Sequence, residues 1–359
     1  VKEMGYDTKD GGFSSLGEFL SRVRKVCDGE LNDGRLLKTA GHMEEGDDSQ
    51  GGFLVPEQWA DGIYHAALED AIVRPLVGDA AFRVKGDSLK VRKFKESDRS
   101  SNIFGGITFT WQAERADKSL AETKPALGEC ELTPHKLIGS CFASNELEDD
   151  YGAFGDFMKI AFGQAIRFIE DDYFINGSGV GQPLGILNAN ALIPVPRQNV
   201  GDVIWLDIAR MARRLLPDSW NRAVWLLNPD VLDELFTAPA PAVNQATVLD
   251  LSQRTLWGRP FIVTEKCQSL GTLGDIILAD FGAGHYLIAD KELEIMGSRH
   301  VDDTFDYLQQ TYHQGFITDE TFWRVVLRVD GQPLMDAPLT PLRGGNTVSP
   351  FVALDVPTS

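Results

Sequence analysis

The sequence predicts an α+β fold of more than one domain, organised around one long helix. Three observations point there. An apolar stripe recurs at three- and four-residue steps from Phe154 to Tyr173. Before it, residues 80–143 are rich in β-formers, with long charged interruptions. After it, residues 185–290 alternate short strands and short helices.

The stripe is Phe154, Phe157, Met158, Ala161, Phe162, Ala165, Phe168, Ile169 and Tyr173. Asn145 or Asp149 opens the helix and Gly177 closes it. From Tyr151 to Asn176 it would run roughly 39 Å at 1.5 Å per residue. Three to four turns are usual, so a helix of this length acts as a spine.

In the preceding region, residues 80–84, 90–94 and 107–111 favour strand, and 129–142 carries no helical stripe. Charged, Gly/Ser-rich tracts at 95–106 and 113–128 separate them. Together they predict a long antiparallel hairpin projecting from the body. A hairpin with few apolar residues at its tip is unstable alone and needs a neighbour to lie on. In the α/β unit, helices are expected at 202–216 and 229–236, the second capped by Asn228. Strands are expected at 223–227, 260–264 and 276–279. The region 305–329 reads as strand-rich and ends on the turn signal Asp330-Gly331.

Residues 1–52 read as an arm. Leu16, Phe19, Leu20, Val23 and Val26 fall on one helical face, with Ser14 or Ser15 as cap and Glu18 at capping-box spacing from Ser15. The Gly/Asp/Glu tract 44–52 is a solvated link. A further helix is expected from Pro56 to about Asp70, with Arg74-Pro75 stopping helical geometry.

The chain has 359 residues and a net charge of −19. An electrostatic nucleic-acid binder needs a basic face, so that class is disfavoured. A negative wall remains compatible with enclosing DNA without gripping it. No apolar run approaches the roughly 20 residues that cross a bilayer, and no signal peptide is visible. Cys27, Cys130, Cys141 and Cys267 lack C-x-x-C spacing, which argues against zinc and for free thiols.

Chemistry-bearing motifs are weak. Gly177-Ser-Gly-Val-Gly181 follows a helix and misplaces the third glycine of a dinucleotide fingerprint, so it reads as a structural turn. The clusters Glu146 to Asp150 and Glu170 to Asp172 read as solvated helix faces, the first favoured by the helix dipole. The six histidines form no H-E-x-x-H pair, and no G-x-S-x-G elbow occurs. No catalytic residue, cofactor or metal is expected.

The order of several short motifs resembles the major capsid proteins of tailed bacteriophages of the Hong Kong 97 type. Gly51-Gly-Phe-Leu-Val-Pro-Glu-Gln-Trp59 and Val73-Arg-Pro-Leu76 resemble the opening of their ordered body. Glu129-Cys-Glu-Leu-Thr-Pro-His-Lys-Leu137 and Ala143-Ser-Asn-Glu-Leu147 resemble the strand into their spine helix. Phe174-Ile-Asn-Gly-Ser-Gly-Val-Gly-Gln-Pro-Leu-Gly-Ile-Leu187 resembles the turn out of it. Trp225-Leu-Leu-Asn-Pro229, Gly258-Arg-Pro260 and Gly274-Asp-Ile-Ile-Leu-Ala-Asp-Phe281 fit their apical domain, and Arg324 to Gly331 their returning peripheral strands. The likeness covers roughly residues 12–340.

The resemblance implies a shell subunit and a domain plan. Residues 1–52 would be the N-terminal arm and 53–79 a first helix and link. Residues 80–143 would be the extended loop and the strand into the peripheral domain, and 144–184 the spine. Residues 185–290 would be the apical domain, 291–332 peripheral strands, and 333–359 a segment returning to the apical domain. Arm, hairpin and spine would drape over neighbours in hexamers and pentamers. Expected contacts to neighbouring subunits are Leu16, Phe19, Leu20, Val23, Phe104, Lys118 and Lys124. The shell would enclose double-stranded DNA in a virion assembled in the bacterial cytoplasm. Scaffolding or a maturation protease, portal and decoration proteins are the further partners implied. Some members crosslink a loop lysine to a neighbour's asparagine; Lys118, Lys124 and Asn346 do not match that pattern residue by residue, and no crosslink is expected. Members often lose an N-terminal segment on maturation, and a start at Val1 is compatible with that. Two other readings compete: an encapsulin-like cargo shell, disfavoured by the long arm, and a soluble α/β hydrolase using the acidic clusters.

Overall fold

A computed structural model of the chain describes residues 69–100, 103–109, 124–145, 154–199, 201–237, 253–298 and 319–357. It also describes Ser21, Lys25, Trp111, Glu114 and the short strands 249–250, 304–306 and 311–313. The chain divides into two compact units, residues 1–66 and 67–359. In the first, only Ser21 and Lys25 are described, both helical and exposed. The arm contacts Leu16, Phe19, Leu20 and Val23 therefore lie outside the described residues, as does most of the helix expected from Pro56. Its last two positions, Glu69 and Asp70, are not helical.

The second unit opens with helix α1 (Val73–Val77), strand β1 (Ala81–Arg83) and the pair β2 (Leu89–Phe94) and β3 (Leu127–Leu132). Strand β4 (His135–Ser144) leads to helix α2 (Phe154–Asn176). Then come β5 (Ile193–Pro196), α3 (Trp205–Ala212), β6 (Val224–Leu227), α4 (Val231–Thr237), β7 (Leu249–Asp250), β8 (Thr255–Leu256), β9 (Arg259–Val263) and β10 (Ile276–Ala279). Last are β11 (Tyr286–Asp290), β12 (Glu294–Ser298), β13 (Thr304–Asp306), β14 (Thr311–His313), β15 (Glu320–Pro333) and β16 (Phe351–Asp355).

A seven-stranded mixed sheet has the order β5-β16-β10-β6-β9-β8-β7. Its central strands β6, β10 and β16 are buried on both faces, so they read as apolar runs and not as alternation. On one face Trp225, Leu227, Ile276, Leu278, Val352 and Leu354 meet Trp205, Ile208 and Met211 of α3 and Val231 and Leu235 of α4. On the other, Val224, Leu226, Ile277, Ala279, Phe351 and Ala353 join Phe174 and Ile175 of α2, Val73 and Val77 of α1, and Tyr286 and Ile288 of β11. The strand from 276 to 279 lies where the sequence places it. Asn228 also caps as expected, its Oδ1 accepting the Asp230 N–H at 3.0 Å.

A five-stranded sheet is built on β15, whose 14 residues span about 46 Å at 3.3 Å per residue. One edge of β15 pairs with β11 and then β12, and the other with all ten residues of β4. The turn expected at Asp330-Gly331 is absent: both residues lie inside β15, opposite Ala289 and Ile288. Gly331 is there for space, since a Cβ would sit 2.8 Å from Tyr286 Oη and 2.9 Å from Phe174 Cε1. Asp330 is held by the Thr133 N–H at 2.7 Å and the Gly331 N–H at 2.8 Å.

Two further expectations are corrected. Arg74-Pro75 does not break a helix but lies within α1. Proline is tolerated in a first turn, where its missing N–H has no intrahelical acceptor to lose. Residues 107–111 form no strand: the described ones show only a bridge between Ile103 and Ile107. The hairpin ladder instead pairs β2 with β3, from Leu89 opposite Leu132 to Phe94 opposite Leu127.

Candidate assembly surfaces

The C-terminal turns of α2 are fixed by charge. Arg74 donates to Glu170 twice, Nε to Oε2 at 2.9 Å and Nη2 to Oε1 at 2.7 Å, and through Nη1 to Asp290 Oδ2 at 2.8 Å. Burial opposes the guanidinium charge, yet the hydrogen bonds and charge of Glu170 and Asp290 outweigh it and raise its pKa. Asp171 accepts the Ile72 and Val73 N–H groups at 2.6 and 3.0 Å, placing a carboxylate at the start of α1. Lys266 Nζ stands 3.3 Å from Asp171, 3.4 Å from Glu69 and 4.7 Å from the Phe168 ring centroid. The expectation that this acidic cluster faces water is thus wrong for Glu170 and Asp171, which are buried. A carboxylate buried at full charge needs such partners.

Above this clamp α2 is poorly covered. Phe162, Ala165 and Phe168 are only half-buried, and Ile160 and Ile169 are exposed. Its completely buried apolar residues, Phe174 and Ile175, lie at the end that enters the core between the two sheets, and Met158 is buried against Ala143.

The hairpin presents a second uncovered surface. On its outward face Phe94 and Leu127 stand opposite each other and both are exposed. The Phe104 ring lies 5.4 Å from that of Phe94 and is half exposed. Phe109 is 81% exposed and Trp111 fully exposed. Large aromatic surfaces left in water are costly and mark contact sites. The solvent face of the five-stranded sheet is similar: Ile138 and Met296 are exposed, and the Phe142 and Phe322 rings are 4.9 Å apart on directly paired residues.

Of the residues expected to touch neighbours, Phe104 belongs to this aromatic patch. Lys124 is exposed near it, and Gly106 approaches its carbonyl so closely that a Cβ would sit 2.2 Å away. Lys118 lies outside the described residues. Sequence reading did not single out Phe94, Leu127, Phe109 and Trp111, which the structure leaves exposed. A signal existed for Phe94: it continues the side of β2 that carries Lys90 and Arg92, the exposed side.

Among the described residues one Ser-His-Asp grouping occurs. Ser219 Oγ lies 3.3 Å from His285 Nε2, and Asp280 Oδ2 lies 3.5 Å from the same nitrogen. A relay needs the nucleophile and the carboxylate on opposite ring nitrogens, and Ser219 is fully buried. Burial lowers the His285 pKa, with Asp280 opposing and Arg222 assisting. Burial pushes the Cys267 thiol up to about 12. Among the described residues no group of three His, Cys, Asp or Glu could hold a metal. The loop after α2 is a turn, as expected. Gly179 and Gly181 have φ of 78° and 68°, the Gly179 N–H donates to Pro183 O at 3.2 Å, and the Gly185 N–H donates to Gly177 O at 2.9 Å.

A spine helix clamped at one end, a long β15 sheet, a seven-stranded sheet and a projecting hairpin define a subunit of the Hong Kong 97 capsid type. Residues 51–344 match the model of the phage capsid family, and the chain belongs to that family. Its fold is similar to the capsid of a native GTA particle, with TM-score 0.64, 18% identity, and 86% of this chain and 98% of that one covered. It is also similar to a chain of Mycobacterium phage Cain (TM-score 0.59, 12% identity, 87% and 99% covered). A chain of Gordonia phage Cozz follows (TM-score 0.55, 13% identity, 90% and 98% covered). No curated protein matches in sequence. The chain is a major capsid protein, a structural component of the phage head shell. Among the described residues no helix is long and apolar enough to cross a membrane.

Proposed function

We propose that this chain assembles through hexamers and pentamers into the icosahedral head of a tailed phage, enclosing its double-stranded DNA. The observation that carries the reading is the hairpin, which leaves Phe94, Phe104, Phe109, Trp111 and Leu127 in water. Their natural cover is a second copy, whose sheet face offers Ile138, Phe142, Phe322 and Met296. The two surfaces differ, so the contact is heterologous, the kind that forms rings when its rotation closes.

On this reading residues 1–52 are the arm, 80–143 the extended loop with its strand, 144–184 the spine, and 185–290 with 333–359 the apical domain. Residues 53–79 link arm to body, and 291–332 complete the peripheral sheet. Leu16, Phe19, Leu20 and Val23 of the arm, with Phe104, Lys118 and Lys124, touch neighbouring copies. The protein works through these interfaces and catalyses no reaction. Asn346 Oδ1 accepts from Arg214 Nη1 at 3.2 Å, and no covalent crosslink forms through it. Portal, decoration, scaffolding and protease partners act on the same shell, which is assembled in the bacterial cytoplasm. The net charge of −19 keeps the shell from gripping the DNA it encloses.

The full chain sedimenting as particles of megadalton size, with nuclease-resistant DNA in virions, supports this reading. Particles that protect a protein cargo instead would replace it with a cargo shell. A stable monomer at all concentrations would refute both.

A further inference from the structure

The root of the hairpin is tied to the body by a second segment. Residues 93–99 and 334–340 run parallel and side by side. Lys93 Nζ donates to Leu334 O at 2.7 Å and to Asp336 Oδ1 at 2.6 Å. Six residues further on, the Thr340 N–H donates to Ser97 O and the Arg99 N–H to Thr340 O, both at 2.9 Å. Asp98 and Thr340 form a parallel bridge. The two segments are thus joined at both ends, while the second bends at Leu334, Asp336 and Ala337 between them. Lys93 is only 8% exposed, so its ammonium depends on these two acceptors. Leu334 packs against the cluster of Cys130, Leu132, Leu287 and Ala289 at the hairpin root. Leu339 is buried with Leu216 and Val348 and exchanges two backbone hydrogen bonds with Val348 at 2.8 Å. One end of the segment thus holds the hairpin and the other is sunk in the body. The exposed rings Phe104, Phe109 and Trp111 all lie beyond the tie.

We propose that residues 334–340 are a strap that sets the direction in which the hairpin leaves the body before a second copy arrives, with Lys93 as its catch. The inference rests on the shell reading above. A hairpin held in its docking direction loses less freedom on binding, so the strap favours assembly without touching the neighbour.

The test is amide exchange on the unassembled full-length subunit, with the critical concentration for assembly measured beside it. Lys93→Met keeps the aliphatic stem and removes the cation. Asp336→Asn keeps an oxygen acceptor at a position that is 70% exposed and removes its charge. Amides 95–107 should exchange roughly tenfold faster in Lys93→Met and a few-fold faster in Asp336→Asn, with β10 and β16 unchanged. The critical concentration should rise roughly tenfold in Lys93→Met. Should that variant not fold, Asp336→Asn decides alone. Unchanged exchange at 95–107 overturns the strap; faster exchange with unchanged assembly overturns its role in docking. Failure of the unmodified chain to form particles would count against the shell reading, while the exchange comparison would still decide the strap.

Discussion

Truncating the exposed rings of the hairpin separates assembly from folding. Phe109 and Trp111 stand almost wholly in water. Trp111→Ala should therefore leave the subunit's melting temperature within about 1 °C of wild type, as surface changes usually do. Rings of this kind bury about 150–250 Å² each on contact. At about 25 cal/mol per Å², covering the tryptophan contributes about 5 kcal/mol, less about 1 kcal/mol for immobilising it. Truncated interface aromatics cost about 2–4 kcal/mol in practice. The lower figure already raises the critical concentration about thirtyfold. Light scattering across a concentration series measures it, with calorimetry on the unassembled subunit as control. Phe109→Ala should behave alike with a smaller effect. Assembly of Trp111→Ala at the wild-type concentration would show that the hairpin's aromatic surface is not covered in the shell.

Other perturbations test the subunit itself. Glu170→Ala leaves the Arg74 guanidinium with Asp290 alone and should cost about 3 kcal/mol, a fall of about 6 °C in melting temperature; an unchanged melt would mean the clamp contributes nothing. Gly331→Ala forces a methyl against Tyr286 and Phe174 and should cost about 1–3 kcal/mol by denaturant titration, where an unchanged midpoint would show the strand can shift to admit it. His285 has a lowered folded pKa, so the unfolded chain binds its proton first as pH falls. Stability should decline from about pH 6.5 down to that lowered pKa and level off below it. His285→Gln should remove this component, and parallel melting curves for variant and wild type between pH 7.5 and 5 would contradict it.

Local pattern made much of the fold legible. The stripe from Phe154 to Tyr173 located the spine, and the apolar run at Ile276 located a central strand because both its faces are buried. What failed depended on distant partners. Asp330-Gly331 has turn composition, yet the glycine serves a close approach by Tyr286 and Phe174, which no local window contains. Residues 107–111 have strand composition, but β2 and β3 pair with each other, and Ile107 makes only a local bridge to Ile103. Glu170 and Asp171 looked solvated because Arg74 and Lys266, 96 and 95 residues away on either side, are invisible to periodicity. The proposed assembly surface corresponds in sequence to a hairpin and a spine with little apolar cover of their own. Its residues were less legible, since exposure of Phe94 or Trp111 follows from register and pairing.

Electron microscopy of the purified full-length chain is the most direct measurement. Uniform icosahedral particles, with the hairpin of each subunit lying on its neighbour in the reconstruction, are the expected result. A monodisperse monomer, or particles whose hairpins contact no second subunit, would contradict the shell built through these surfaces.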